Sequence, residues 1–172
     1  MKATVHRRDF ADAAVEQWRK QRPDLDFTAM GPLARLARLG LFGGRLVDRV
    51  FADKGLDRGE FNVLAALRRG GPPFRLTPSE LAAAELTTRG GMTKRIDRLQ
   101  ARGLVERRTH SADRRSLLVG LTAEGVRLTD ELIALHVANE SRLLAVLDPE
   151  ELAAFDHAIR KLLAATGSDP GA

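Results

Sequence analysis

Apolar residues recur at helical spacing along most of the chain, and Gly, Pro and capping residues cut it into segments. Phe10, Ala14 and Trp18, four residues apart, line one face of a short helix predicted over residues 9–20. Residues 21–27, with Pro23, read as a linker. Leu36, Leu39, Gly43, Leu46, Val47 and Val50 keep helical spacing in a long helix over about 28–54, which Gly55 stops. Three further helix starts carry capping boxes: Asp57 with Glu60, Thr77 with Glu80, and Asp148 with Glu151. In each, the first side chain accepts orphan amide protons and the Glu three residues on bonds back. They predict helices over 58–69, over 78–84 with Pro78 at its first position, and from Pro149 to about residue 166, where Leu152, Phe155, Ile159 and Leu162 share a face.

The middle of the chain changes period. A helix predicted over 88–102 ends at Gly103, placed for a left-handed cap. Two short runs of strand formers follow, 104–108 and 116–121, separated by the polar stretch 109–114. They predict a two-stranded hairpin with a charged tip. Residues 70–73, Gly-Gly-Pro-Pro, must turn. Thr122 then caps a long helix to about residue 147. It has two apolar stripes, Leu128, Leu132, Leu135, Leu143, Val146 and Val126, Ile133, Val137, Leu144, Leu147, so the pattern predicts burial on two sides. The fold class is mainly α with a small β-hairpin. Its organisation is N-terminal helices over 1–56, a central domain over 57–121, C-terminal helices over 122–166, and a tail, 167–172, expected to be disordered.

Composition narrows the function. Only 5% of the 172 residues are aromatic, so a Leu, Ala and Val core favours helix-on-helix packing. With no cysteine, disulfides, thiol redox sensing and thiolate-bound zinc are excluded. The apolar runs fall short of a membrane span, and the first eight residues lack the apolar core of a signal peptide, so a cytoplasmic protein is expected. His6, His110, His136 and His157 are scattered, no phosphate loop is present, and Glu150-Glu151 serves as helix N-terminal charge. Neither enzyme, cofactor nor metal site is expected.

The net charge of +5 is unevenly spread. Residues 88–115 hold nine basic and three acidic residues, whereas 122–166 hold four basic and eight acidic ones. A basic block in the middle of the chain points to a polyanion partner. Helix 78–84, a short turn, helix 88–102 and a hairpin form a winged helix-turn-helix, whose second helix enters the major groove and offers its N-terminal residues to base edges. Those are Thr88, Arg89, Gly90, Gly91, Thr93 and Lys94, with Thr77 and Ser79 at the start of the first helix. The two glycines either allow close approach of backbone to DNA or merely mark a loose helix start. Arg98 and Arg102 serve either as DNA-backbone contacts or in internal pairs; Arg98 is counted among the DNA-binding candidates.

The runs Leu76–Ala82, Gly90–Leu99, Gly103–Arg107 and Asp113–Thr122 resemble the MarR family, over a motif-bearing stretch from about Asp57 to Gly125. The resemblance implies a homodimer, joined by the first long helix and the last two, that holds two reading helices on a palindromic operator in double-stranded DNA. It implies that wing residue Arg115 enters the minor groove, that Asp113 orients it, and that Arg114 sits near phosphates. Repression is the expected action, with activation open. The rival reading of the same charge block is an architectural protein that coats DNA without effector or operator.

A narrower resemblance is to the urate-responsive MarR subgroup, which has an extra N-terminal helix carrying a Trp. Trp18, Arg95 and Arg107 match that subgroup's effector positions, and Asn62 stands where it has Asp. Two arginines would bind an anion and Trp18 would supply a flat apolar wall. Asn62 removes the carboxylate that competes for Arg95, which opens the site to a small anionic or aromatic effector other than urate.

Overall fold

The computed structural model describes residues 8–85, 88–109 and 117–167. Two compact units divide the chain, residues 1–46 and 47–172. The first holds helix α1, Phe10–Gln21, and the start of α2, Met30–Ala52. Asp9 caps α1: its carboxylate accepts from the amides of Ala11 and Asp12, and Asp12 accepts from the Asp9 amide. Arg35 of α2 then donates to both carboxylates, at 2.7 Å to Asp9 and 2.6 Å to Asp12. Trp18 stacks on Phe27 with ring centroids 6.4 Å apart.

The second unit begins with the end of α2. It continues with α3, Arg58–Arg69; β1, Arg75–Leu76; α4, Pro78–Ala84; α5, Arg89–Ala101; β2, Val105–Thr109; β3, Leu117–Leu121; α6, Ala123–Leu144; and α7, Pro149–Ala165. All three predicted capping boxes form, and Thr88 and Thr122 cap α5 and α6. Gly55 and Gly103 take φ of +67° and +69°, the left-handed geometry that ends the helices before them.

The wing is three-stranded, not two-stranded. Strand β3 lies between β1 and β2, antiparallel to both, with Val119 opposite Leu76 on one side and Arg107 on the other. Two residues of β1 are too few to show a period, so the sequence pattern could not reveal them. Side chains from every layer close the core: Leu64 and Leu67 of α3, Leu81 of α4, Met92, Ile96 and Leu99 of α5, Val119 of β3 and Leu132 of α6 are fully buried. At one end, Phe51 stacks on Phe61 with centroids 4.0 Å apart, and His136 of α6 leans on both rings.

Helix α6 buries the start of one of its two apolar stripes within the single chain, and the other is expected to lie at a subunit interface. Leu128 and Leu132 are in the core, but Ile133, Leu135 and Val137 are exposed in the single chain. Helix α6 packs on α3, with Leu132 in the core and His136 against Phe61. The expected tail lies outside the described residues beyond Gly167, as does the tip of the wing, residues 110–116.

Candidate nucleic-acid interface

Helix α5 is held by a stripe of arginines and presents a different face outward. Arg98 donates from Nε to Glu60 at 2.6 Å and from Nη2 to Asp57 at 2.9 Å. These two carboxylates also form the capping box of α3, in which the Asp57 amide bonds Glu60 and the Glu60 amide bonds Asp57. One buried carboxylate, Glu60, thus helps cap the start of α3 and receives the arginine of α5. A charge-assisted pair of this kind is stronger than a neutral hydrogen bond. Arg102, one turn on, donates to the carbonyl oxygens of Gly55 and Lys54 at 2.7 and 2.8 Å. Of the two readings left open by the sequence, the internal pair is the one that both residues make in the single chain. The capping box itself was legible; the arginine that uses it from 38 residues away was not.

Arg95 belongs to the same stripe. Its guanidinium lies over Gly59, where a Cβ would stand 2.5 Å from it. Asn62 is one turn further along α3 and half-buried, so Arg95 and Asn62 face the same seam, though no hydrogen bond or ion pair joins them. Arg107 is elsewhere. From β2 it pairs with Asp97 and with the Gln100 side chain. At about 100° per residue, Asp97 and Gln100 sit roughly 200° and 140° round α5 from Arg95. Arg95 and Arg107 therefore work on opposite flanks of the helix. Trp18, in the first unit, is half exposed against Phe27. The four residues matched to an effector site are not gathered into one place within the second unit.

The outward face of α5 carries Gly90, Thr93, Lys94 and Asp97, all exposed. Among the described residues Lys94 has no carboxylate partner. Asp97, the one acid on this face, is offset by Arg107. Thr88 spends its hydroxyl on the Gly91 amide at 3.2 Å. Thr77 is similarly committed, donating to Glu80 at 2.8 Å and accepting from its amide; the bonds from Thr77 hold the Glu80 carboxyl below its usual range. Ser79 is exposed, with no partner for its hydroxyl among the described residues. Arg89 opens α5; Asp113, Arg114 and Arg115 lie outside the described residues.

Gly90 is the clearest outward signal. A Cβ there meets nothing within 4 Å, so the protein's own packing does not require glycine. Gly90→Ala is expected to stabilise the fold by about 0.5 kcal/mol, because Ala loses less backbone entropy. It is also expected to weaken DNA binding by crowding the groove. Thermal unfolding paired with DNA titration checks both halves; unchanged affinity would make the glycine a loose helix start.

Among the described residues no helix is long and apolar enough to cross a membrane, and no cluster of His, Asp and Glu could hold a metal ion. Residues 54–116 match the family model described as the MarR family. The chain is 39% identical over 137 residues to the HTH-type transcriptional regulator PecS of Dickeya dadantii, covering 80% of this chain and 82% of that protein. Its fold resembles that of AbsC, a MarR family transcriptional regulator from Streptomyces coelicolor, with a TM-score of 0.74 at 23% identity over 84% of this chain and 98% of that one. A mutant MarR from E. coli complexed with operator DNA aligns with a TM-score of 0.67 at 27% identity, over 80% of this chain and 97% of that one.

Proposed function

The chain belongs to the MarR family of winged-helix regulators and is a DNA-binding transcriptional regulator, not an enzyme, and from that premise we propose that it acts as a homodimeric, ligand-responsive repressor of a palindromic operator. The observation that carries this reading is the division of α5 into an anchored face and an open one. Arg98 and Arg102 fix the helix to α3 and to the turn after α2, leaving Gly90, Thr93 and Lys94 outward for a groove. Thr88, Arg89 and Gly91 start α5 and Thr77 and Ser79 start α4; these are the further residues assigned to DNA, with Arg115, oriented by Asp113, and Arg114, near phosphates, assigned from the wing by the family resemblance.

Apolar side chains without a partner in the single chain support the dimer. Leu135, Val137 and Val146 lie on or just after α6, and Leu152, Leu162 and Leu163 on α7; all are exposed. A second copy would bury them and set two α5 helices on half-sites about one helical turn apart. For the effector, the support is Arg95, a half-buried guanidinium with no carboxylate partner among the described residues, facing the seam where Asn62 stands. An anion on Arg95 would act directly on the reading helix; Trp18 and Arg107 are the further residues assigned to this effector.

Footprinting at near-physiological salt tests the reading, because low salt inflates non-specific affinity. The expected result is a protected palindrome and a dimer by light scattering. Equal affinity for scrambled DNA would instead mark an architectural protein. The division of α5 has its own signature. Lys94→Ala should weaken binding and reduce the slope of log affinity against log salt by about 1, as loss of one phosphate contact does. Arg98→Ala should weaken binding with the slope unchanged, since it misplaces the helix and removes no phosphate contact. A reduced slope in Arg98→Ala would return that residue to the DNA.

A further inference from the structure

Gly120 lies in β3, the middle strand of the wing sheet. Its neighbours Val119 and Leu121 are buried in the core, so by strand alternation Gly120 belongs to the opposite, outer face. It is nevertheless buried, because Arg75 of β1 covers it. A Cβ at position 120 would stand 2.9 Å from Cγ of Arg75, 3.6 Å from Cδ and 3.5 Å from Nε. Arg75 pairs with Gly120 in register, and Gly120 pairs with Glu106 of β2, so the three form one row across the sheet. Glu106 is taken by Arg108. Arg75 is exposed overall and has no carboxylate partner among the described residues.

An arginine on a solvated surface samples many rotamers, and ordering it costs affinity when a contact forms. Here the missing side chain at position 120 seats the stem before any partner arrives, while the charged end stays in water. The charge has no internal use, since the acid next in the row already has a cation. Nor does it guard a sheet edge: β1 is an edge strand, but two residues offer little for another strand to pair with. A preformed, uncompensated guanidinium remains. Arg75 is joined to both elements that the proposed function brings to DNA: it is hydrogen-bonded into the wing sheet, and it stands two residues ahead of Thr77, the cap of α4.

We propose that Arg75 binds a phosphodiester of double-stranded DNA, with Gly120 as the seat that orders it. The contact rests on the reading of α5 and the wing as a DNA surface, and adds to it a contact that carries no sequence information.

Titration of the full-length protein with a random-sequence duplex and with the footprinted operator, over a range of salt, tests the proposal. Arg75→Met keeps an apolar stem over Gly120 and removes the charge. It should weaken both duplexes alike, roughly fivefold at near-physiological salt, and lower the slope of log affinity against log salt by about 1. Its midpoint of thermal unfolding should stay within about 2 °C of wild type. Gly120→Ala should weaken binding in the wild-type background and add nothing in Arg75→Met, because its effect passes through Arg75. An unchanged slope in Arg75→Met overturns the proposal, whatever happens to affinity. So does a loss confined to the operator, which would make Arg75 a base reader. Equal losses from Gly120→Ala in both backgrounds would overturn the part assigned to Gly120. Lys94→Ala is measured alongside: a lowered slope there with none in Arg75→Met sinks this contact alone, whereas no change in either sinks the DNA surface itself.

Discussion

Gly125→Ala is expected to lower the midpoint of thermal unfolding by roughly 10 °C, equivalent to about 3 kcal/mol in a chain of this size. Gly125 lies in the first turn of α6, where the helix crosses the turn between α5 and β2. A Cβ at this position would overlap the Leu104 carbonyl oxygen and stand 3.0 Å from its carbon and 3.3 Å from the Leu121 side chain. Backbone cannot step aside as a flexible side chain can. The same carbonyl accepts from the Thr122 amide at 3.1 Å, while the Thr122 hydroxyl donates to the Gly103 oxygen at 2.7 Å and accepts from the Gly125 amide at 3.0 Å. Lifting α6 to admit one methyl group would therefore strain the cap of α6 and the end of the reading helix together. Scanning calorimetry gives the number. A midpoint within 2 °C of wild type would show that α6 does not seat as closely as described.

The second large effect is expected at Phe51→Ala, at about 4 kcal/mol, or roughly 12 °C. Phe51 is 1% exposed and stacks on Phe61, with His136 tilted against both rings at 5.4 Å. Its removal leaves a hole bounded by an aromatic ring and an imidazole, groups that cannot spread to fill it. The His136 Nδ1 is already buried without a hydrogen-bond partner among the described residues. Phe51→Leu should recover more than half of the loss by restoring volume without the ring. Equal destabilisation by the two variants would mean that the stacking geometry, not the filled volume, holds this end of the core.

Most of the fold was legible because local signals and the hydrophobic period agreed. Capping boxes at Asp57, Thr77 and Asp148 gave three helix starts to the residue, and Gly55 and Gly103 gave two helix ends. Strand β1 was hidden by its length. The second stripe of α6, with Ile133 and Val137 exposed in the single chain, was legible as a face expected at a subunit interface. In the candidate interface, sequence picked out the N-terminal residues of α5 by their place in a helix-turn-helix. It could not assign the arginines, since a guanidinium at the edge of a helix is equally suited to a phosphate and to a carboxylate. Only three-dimensional placement tells that Arg98 meets Glu60 and that Arg107 turns to Asp97 instead of joining Arg95.

The way α5 is fastened bears on how such a regulator can acquire new targets. Met92, Ile96 and Leu99 seat the helix, and Arg98 and Arg102 lock it, while Gly90 and Lys94 are exposed. On the proposed reading, those two positions belong to an interchangeable reading head on a fixed mount. A library that varies them alone should consist mostly of folded proteins, and a gene duplicate could drift toward a new operator through single substitutions without first passing through an unstable intermediate.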